Sequence, residues 1–166
     1  AVPIKLYVEN CIKSALEDGI ERMGLSGGYI DIPETIGSNP GSYLSAFPAS
    51  GFKIPYWWHD GIDAIPTYEF MEQQLEIHVQ SEFKRCIGNF EPFAQRFEIN
   101  SLSGPVADVQ FNENDVTAKL KYTLEIASYD GTLKQLAQNF EYILPIRFRK
   151  VYEFAKLIME RENRDY

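Results

Sequence analysis

The chain has 166 residues, of which 45% are apolar and 24% charged, and its formal charge is −8. This length suits one domain, and the apolar fraction is too high for a chain that stays disordered. No apolar run approaches the 18 residues of a membrane-spanning helix, and the acidic balance argues against a nucleic acid partner. Composition therefore favours an aromatic-rich globular domain.

The first predicted helix covers residues 4–23. Apolar residues recur at spacings of three and four from Ile4 through Cys11 to Met23, and the charged residues fall outside this stripe. Gly24 follows as a natural stop. This segment therefore has the pattern of a helix with one buried face.

Residues 24–66 lose this periodicity. Seven of the 11 glycines and five of the nine prolines lie here, in turn signals such as Asn39-Pro40-Gly41 and Asp60-Gly61. The segment is nevertheless rich in Tyr, Phe and Trp, unlike a flexible linker. We predict a long ordered loop that its own side chains hold in place.

The second predicted helix covers residues 67–87. Thr67 is a suitable N-cap, and an apolar stripe with spacings of three and four runs from Tyr68 to Cys86. Acidic residues dominate its first turns and basic residues its last, which suits the helix dipole. Gly88 then follows directly after the predicted helix, at the position where glycine commonly ends a helix.

Over residues 97–144, apolar residues recur at every second position in place of the helical spacing of three and four. Apolar and polar residues alternate over 116–126, which predicts a strand with one buried face. Strands at 97–99 and 106–111 precede it and one at 140–144 follows, whereas 133–138 is ambiguous and could be helical. The short connections predict a four-stranded antiparallel meander.

Pro145 can open a last helix over residues 146–162. We expect its apolar residues to face inward: Phe148, Val151, Tyr152, Ala155 and Ile158. The order of elements predicts a single α+β domain over residues 1–166, with the three helices packed on the sheet.

The richest chemical cluster lies within residues 54–63. It contains both tryptophans beside a tyrosine, a histidine and two carboxylates: Tyr56, Trp57, Trp58, His59, Asp60 and Asp63. One interpretation is a recognition surface on which aromatic faces contact a sugar or a partner side chain. Another is catalysis by the paired carboxylates with His59, and a third is that the aromatic residues only fill the core.

Cys11 and Cys86 are the two cysteines. The chain has two histidines and no CxxC or HxxxH spacing, so these cysteines do not form a zinc framework. The linear sequence signatures of nucleotide-binding and metal-dependent enzymes are also absent. We therefore expect no cofactor and no metal. From the residues alone, two free thiols and one disulfide both remain open.

Short motifs in order along most of the chain carry a family resemblance. They are Tyr7-Val8-Glu9-Asn10-Cys11-Ile12, Gly27-Gly28-Tyr29-Ile30, Ile54-Pro55-Tyr56, Met71-Glu72, Cys86 before Phe90 and Phe93, and Ile143-Leu144-Pro145-Ile146-Arg147-Phe148. The chain resembles a group of archaeal single-pass, membrane-anchored cell-surface proteins without an assigned activity. The resemblance favours a Cys11–Cys86 disulfide in an oxidising compartment, implies an apolar anchor upstream, and carries no catalytic residue across.

The leading hypothesis is a non-enzymatic extracellular domain of a membrane-anchored surface protein. It would serve adhesion, partner binding or envelope assembly, with a protein or glycan partner at the cell surface and contact with the membrane only through the missing anchor. The chain starts at Ala1 and ends at Tyr166 without obvious natural termini, which fits an excised ectodomain. The alternatives are a glycan-active hydrolase that uses residues 56–63 and a pilin-like filament subunit.

Overall fold

The computed structural model describes residues 2–164. Its elements, in chain order, are α1 Val2–Leu25, α2 Glu34–Gly37, β1 Tyr43–Ser45, β2 Lys53–Pro55, β3 Trp58–His59, β4 Ile62–Asp63, α3 Tyr68–Ile87, β5 Phe97–Ser101, β6 Val106–Phe111, β7 Val116–Lys121, β8 Leu124–Ser128, β9 Lys134–Ala137, β10 Phe140–Leu144 and α4 Phe148–Glu162. The strands pair antiparallel and the long helices flank them along the chain, so the α+β prediction is confirmed.

Helices α1 and α3 pack against each other along their predicted apolar stripes. Ile12 and Leu16 of α1 and Leu75 of α3 are fully buried. The two helices approach closely at Gly19, where a Cβ would lie 2.8 Å from Leu75 Cδ2 and 2.9 Å from His78 Cδ2. A larger residue at this position would displace the Leu75 and His78 side chains, which explains a glycine inside a helix.

The boundaries of α1 and α3 agree with the sequence predictions to within two residues. Thr67 caps α3 as expected, since its Oγ1 accepts a hydrogen bond from Phe70 N at 3.2 Å. Gly88 ends the helix with a φ of +51°. One detail of the prediction is wrong: Cys86 is exposed, and the buried stripe ends at Ile87 instead.

Within residues 2–164, no helix combines the length and the apolar content needed to cross a bilayer.

The described part of the chain contains two three-stranded sheets over residues 97–144, not the predicted four-stranded meander. Their strand orders are β6–β7–β10 and β5–β8–β9. The predicted strand 116–126 is central in both, because it divides at Tyr122 and Thr123 into β7 and β8. The ambiguous residues 133–138 contain strand β9 and no helix, and Asn139 bends the chain into β10 with a φ of +54°.

Helix α3 covers the outer edge of strand β6. Three backbone N–H groups of β6 donate to side-chain oxygens on one face of α3 at 3.1–3.2 Å: Ala107 to Gln80, Val109 to Glu76 and Phe111 to Glu72. The spacing matches because four helical residues rise about 6 Å, close to two residues of a strand. These side chains therefore occupy an edge that would otherwise offer free donors to another chain.

Helix α4 departs most from its prediction. It begins at Phe148 and has no side-chain N-cap. Of the residues expected to face inward, Tyr152 is buried, Phe148 and Ala155 are half-buried, and Val151 and Ile158 are exposed. The expectation of a fully inward apolar face is therefore wrong, because α4 contacts the body along one edge only.

A disulfide joins α1 to the end of α3. The Sγ atoms of Cys11 and Cys86 lie 2.04 Å apart. Cys11 is buried, whereas Cys86 is exposed at the surface. Tyr7 supports the same junction, since its hydroxyl donates to the Cys86 carbonyl oxygen at 3.0 Å. Of the two states that the sequence left open, the structure has the disulfide.

Candidate functional site

The predicted loop 24–66 is organised around two small hairpins. Strands β1 and β2 pair antiparallel, and so do β3 and β4. Asp60 and Gly61, which connect β3 to β4, have φ angles of +50° and +76°. Two consecutive positive φ angles are what a two-residue type I′ turn requires. The Asp60-Gly61 turn signal is therefore confirmed.

Trp57 attaches the second hairpin to the body of the protein. It is half-buried, and its Nε1 donates to the Gly27 carbonyl oxygen at 2.7 Å. Its ring centroid lies 5.5 Å from that of Tyr152 on α4, with the planes tilted by 54°. Its carbonyl oxygen accepts from Ala64 N at 2.8 Å. For Trp57 the structure matches the packing interpretation.

The turn after α1 fixes the start of this segment. Gly28 has a φ of +96°, and a Cβ there would lie 2.5 Å from Pro66 Cγ. Gln74 of α3 holds the turn from the other side: its Nε2 donates to the Gly28 carbonyl at 3.3 Å and its Oε1 accepts from Ile30 N at 2.9 Å. The sequence does not predict this role of Gln74, because a glutamine on a helix carries no signal for it.

Tyr56 and Trp58 point away from the body. Tyr56 is 41% exposed and Trp58 is 45% exposed. Trp58 is directly opposite Asp63 in the β3–β4 register, so these two side chains share one face of the hairpin. An exposed aromatic ring beside a carboxylate is typical of recognition surfaces. We call Tyr56, Trp58 and Asp63 the hairpin surface.

His59 lies between this surface and the interior. Its side chain is 12% exposed, and within residues 2–164 its buried Nδ1 has no hydrogen-bond partner. The Asp60 Oδ2 atom is 3.9 Å away, which is beyond hydrogen-bond distance. A buried polar atom without a partner is uncommon, and a ligand or solvent molecule that reaches it would satisfy it. The hairpin surface therefore has an unused polar atom close behind it.

The two carboxylates have different surroundings. Asp63 Oδ1 accepts from Ile65 N at 3.0 Å and closes its own turn. The Asp60 carboxylate is 81% exposed at the tip of the hairpin. Glycoside hydrolysis needs two carboxyl groups that face each other across a cleft. The glycan-active hydrolase alternative stays a prediction. Among the described residues, no three His, Cys, Asp or Glu side chains are grouped to hold a metal ion.

Tyr68 connects α3 with α4 behind the hairpins. Its hydroxyl donates to the Glu153 carboxylate, and the Arg149 guanidinium lies 5.1 Å from its ring centroid. Burial, followed by the hydrogen bond to Glu153, raises the pKa of Tyr68 to about 12. Its ring also lies 4.8 Å, centroid to centroid, from Tyr152. This aromatic cluster, which the sequence pattern does not predict, holds α4 in place.

No family model, curated protein or solved structure matches this chain. The resemblance to archaeal cell-surface proteins therefore depends on its short motifs alone and stays a prediction. The six predicted site residues also stay a prediction as a binding surface. The structure divides them, with Trp57 inside and Tyr56 and Trp58 outside.

Proposed function

We propose that this chain is a non-enzymatic extracellular domain of a membrane-anchored surface protein, which binds a protein or glycan partner. The observation that carries the proposal is the exposure of Cys86 in the disulfide. Cytosolic thiol systems keep most cysteines reduced, and Cys86 lies at the surface where they would act, so this bond is typical of oxidising compartments. The resemblance in the sequence motifs supports the same compartment.

The hairpin surface is the candidate contact with the partner. Tyr56 and Trp58 offer large, rigid apolar faces with little side-chain entropy to lose on binding. Asp63 adds an acceptor on the same face as Trp58. Trp57 and the Gly27-Gly28 turn hold the hairpin from behind, so the surface is formed before a partner arrives. Such preorganisation lowers the entropic cost of binding.

The compartment is tested in cells that carry the gene natively. Intact cells are treated with N-ethylmaleimide and a membrane-impermeant biotin reagent before lysis, and the protein is then analysed by mass spectrometry with and without reduction. We expect biotin on surface lysines, and alkylation of Cys11 and Cys86 only after reduction. Free thiols in the trapped protein, or the absence of biotin, would contradict the proposal.

Partner binding is tested on glycan arrays and on a panel of proteins from the same cell envelope. We expect Trp58→Ala to weaken binding about tenfold or more, as for an aromatic residue at the centre of an interface. Ile77→Ala is the matched control, because Ile77 is exposed on α3, outside the hairpins. If the two variants bind equally well, the hairpin surface is not the contact.

A second candidate is a filament subunit, which the start of α1 favours. Val2 and Leu6 are exposed on its first two turns, whereas Ile4 and Val8 are buried. Two exposed apolar residues at a spacing of four would suit packing against another helix. Electron microscopy of the full-length gene product tests this: filaments that are lost in Leu6→Glu support it, and filaments unaffected by Leu6→Glu contradict it.

A further inference from the structure

The outer face of helix α4 is apolar and uncovered. It consists of four large side chains on the side opposite Tyr152: Val151, Phe154, Leu157 and Ile158. Val151 is 67% exposed and Phe154 is 65% exposed. Isolated exposed apolar residues are ordinary, but a row of four on one helix face indicates an interaction site. We call these four residues the α4 face.

A cavity adjoins the α4 face. It has a volume of about 200 Å³ and lies between α4, the end of α1 and the Gly27-Gly28 turn. Trp57, Phe148 and Tyr152 contribute aromatic lining, and Val151 belongs to both the cavity and the α4 face. The space suits one bulky apolar side chain. A pocket of this kind next to a flat apolar face is the usual form of an anchor site in a protein interface.

Charge distinguishes this region from the rest of the molecule. Residues 147–164 contain six basic and three acidic residues, whereas residues 1–146 contain ten basic and twenty acidic ones. Arg147 and Arg161 continue the spacing of the α4 face at its two ends, and both are exposed. An acidic partner is therefore attracted to α4 and repelled by the remainder of the chain.

We propose that the α4 face and its cavity form a docking surface for an acidic amphipathic helix of a partner protein. Val151, Phe154 and Ile158 follow one another at spacings of three and four, which is the pattern that a second helix packs against. One bulky side chain of the partner helix fills the cavity over Trp57. Acidic residues toward the two ends of the partner helix pair with Arg147 and Arg161.

Two other occupants fit less well. A second copy pairing antiparallel through its own α4 would bring basic residues together, since Arg147 and Arg161 lie at the two ends of the α4 face. An anionic membrane would have to contact the cavity, which lies at the C-terminal end of α1 because Met23 lines it. The anchor proposed above would hold the start of α1 at the membrane, and the cavity lies about 36 Å from that start.

The test uses Trp57 as a reporter. In a Trp58→Phe background Trp57 is the single tryptophan, and it lines the cavity. The protein is titrated with two synthetic helical peptides of roughly 18 residues, which share one row of Leu and Phe. One peptide has Glu and Gln at its polar positions, and the other has Lys and Gln. We expect saturable changes in Trp57 emission with the acidic peptide and none with the basic one.

Variants locate the binding. Phe154→Ser and Arg161→Glu are each expected to weaken binding of the acidic peptide about tenfold or more. The matched controls on α3, Ile77→Ser and Lys84→Glu, are expected to bind like the parent protein. Circular dichroism and thermal unfolding verify that each variant is folded.

Several results would overturn the proposal. The first is equal binding of both peptides, and the second is binding that Phe154→Ser leaves unchanged. Sedimentation velocity that shows a dimer lost in Phe154→Ser would assign the α4 face to a second copy. Binding to phosphatidylglycerol vesicles without binding to the acidic peptide would assign it to a lipid surface. Phe154→Ser and Arg161→Glu leave the hairpin surface unchanged, so a loss of binding in these variants assigns the contact to the α4 face.

Discussion

Helices α3 and α4 have similar apolar spacing but very different surroundings. The stripe of α3 is covered by α1, and its residues Met71, Leu75, Val79 and Phe83 have no solvent exposure. The corresponding stripe of α4 includes Val151, Phe154 and Ile158, all of them exposed. Periodicity predicts that a helix has an apolar face, but another element must be available to cover that face.

The difference lies in what each helix contacts. Helix α3 contacts α1 on one side and the edge of β6 on another, and a disulfide fixes its end. Helix α4 is held through the aromatic contacts of Tyr152 with Trp57 and Tyr68 and of Phe148 with Phe111. The first arrangement stabilises the fold, and the second leaves a surface for other molecules.

The largest expected effect is the loss of the disulfide. The bridge spans 75 residues of sequence, and opening a loop of that length costs about 4 kcal/mol in the chain-entropy model. We expect the double variant Cys11→Ala/Cys86→Ala to lose about this free energy of unfolding in urea titrations. Reductant should destabilise the parent protein and leave the double variant unchanged. Equal stability of the two proteins would show that α1–α3 packing needs no covalent link.

A matched pair of leucines measures the contrast directly. Leu75 on α3 is fully buried and Leu157 on α4 is exposed. We expect Leu75→Ala to lower the free energy of unfolding by about 3 kcal/mol, because it removes buried contacts and leaves a cavity. The same substitution at Leu157 should change it by less than about 0.5 kcal/mol. Comparable losses at both positions in denaturant titrations would mean that α4 is covered in solution.

The helix predictions succeeded where local signals and packing agree. Thr67 and Gly88 mark the ends of α3, and Gly24 lies within one residue of the end of α1. Both helices also find a partner, so the apolar stripe that predicts each helix is the face that it buries. The Asp60-Gly61 turn succeeded for the same reason, since backbone conformation alone determines it.

The remaining features depend on distant contacts. The break at Tyr122 and Thr123 places half of one alternating strand in each sheet, although the alternation itself continues through it. Gln74 forms hydrogen bonds with a turn that lies more than 40 residues earlier in the chain. For the candidate site, the sequence located the aromatic cluster. The sequence could not predict that Trp57 packs against the body while Trp58 is exposed. Two adjacent tryptophans look alike in the sequence, and only the folded backbone determines which side chain turns toward the body.

The protected edge of β6 gives a third prediction. Glu76→Ala removes the acceptor for Val109 N and leaves that donor without a partner. We expect a loss of about 1–2 kcal/mol in the free energy of unfolding, together with weak concentration-dependent association seen by light scattering, since one donor of the β6 edge becomes free. Glu76→Gln keeps an acceptor and should remain monodisperse. Glu69→Ala, at an exposed position on the same helix, is the control.

The smallest expected effect concerns Tyr68, which connects the two compared helices. Burial and then the hydrogen bond to Glu153 raise its pKa in the folded protein to about 12, from the ordinary value of 10.0. The folded state therefore holds the phenolic proton more tightly than the unfolded state. The resulting stability is fully present below pH 10 and disappears as the pH rises to about 12.

We therefore expect the free energy of unfolding to fall between pH 10 and pH 12, and to fall less in Tyr68→Phe. Tyr152 and Tyr29, whose pKa values burial also raises, contribute to the part that remains. Tyr129→Phe, at an exposed position, should follow the parent profile. Denaturant titrations across this range in a Trp58→Phe background, with α4 followed through Trp57 emission, decide whether α4 separates before α3 unfolds. A single transition at every pH would show that the weakly covered helix and the fully covered one form one cooperative unit.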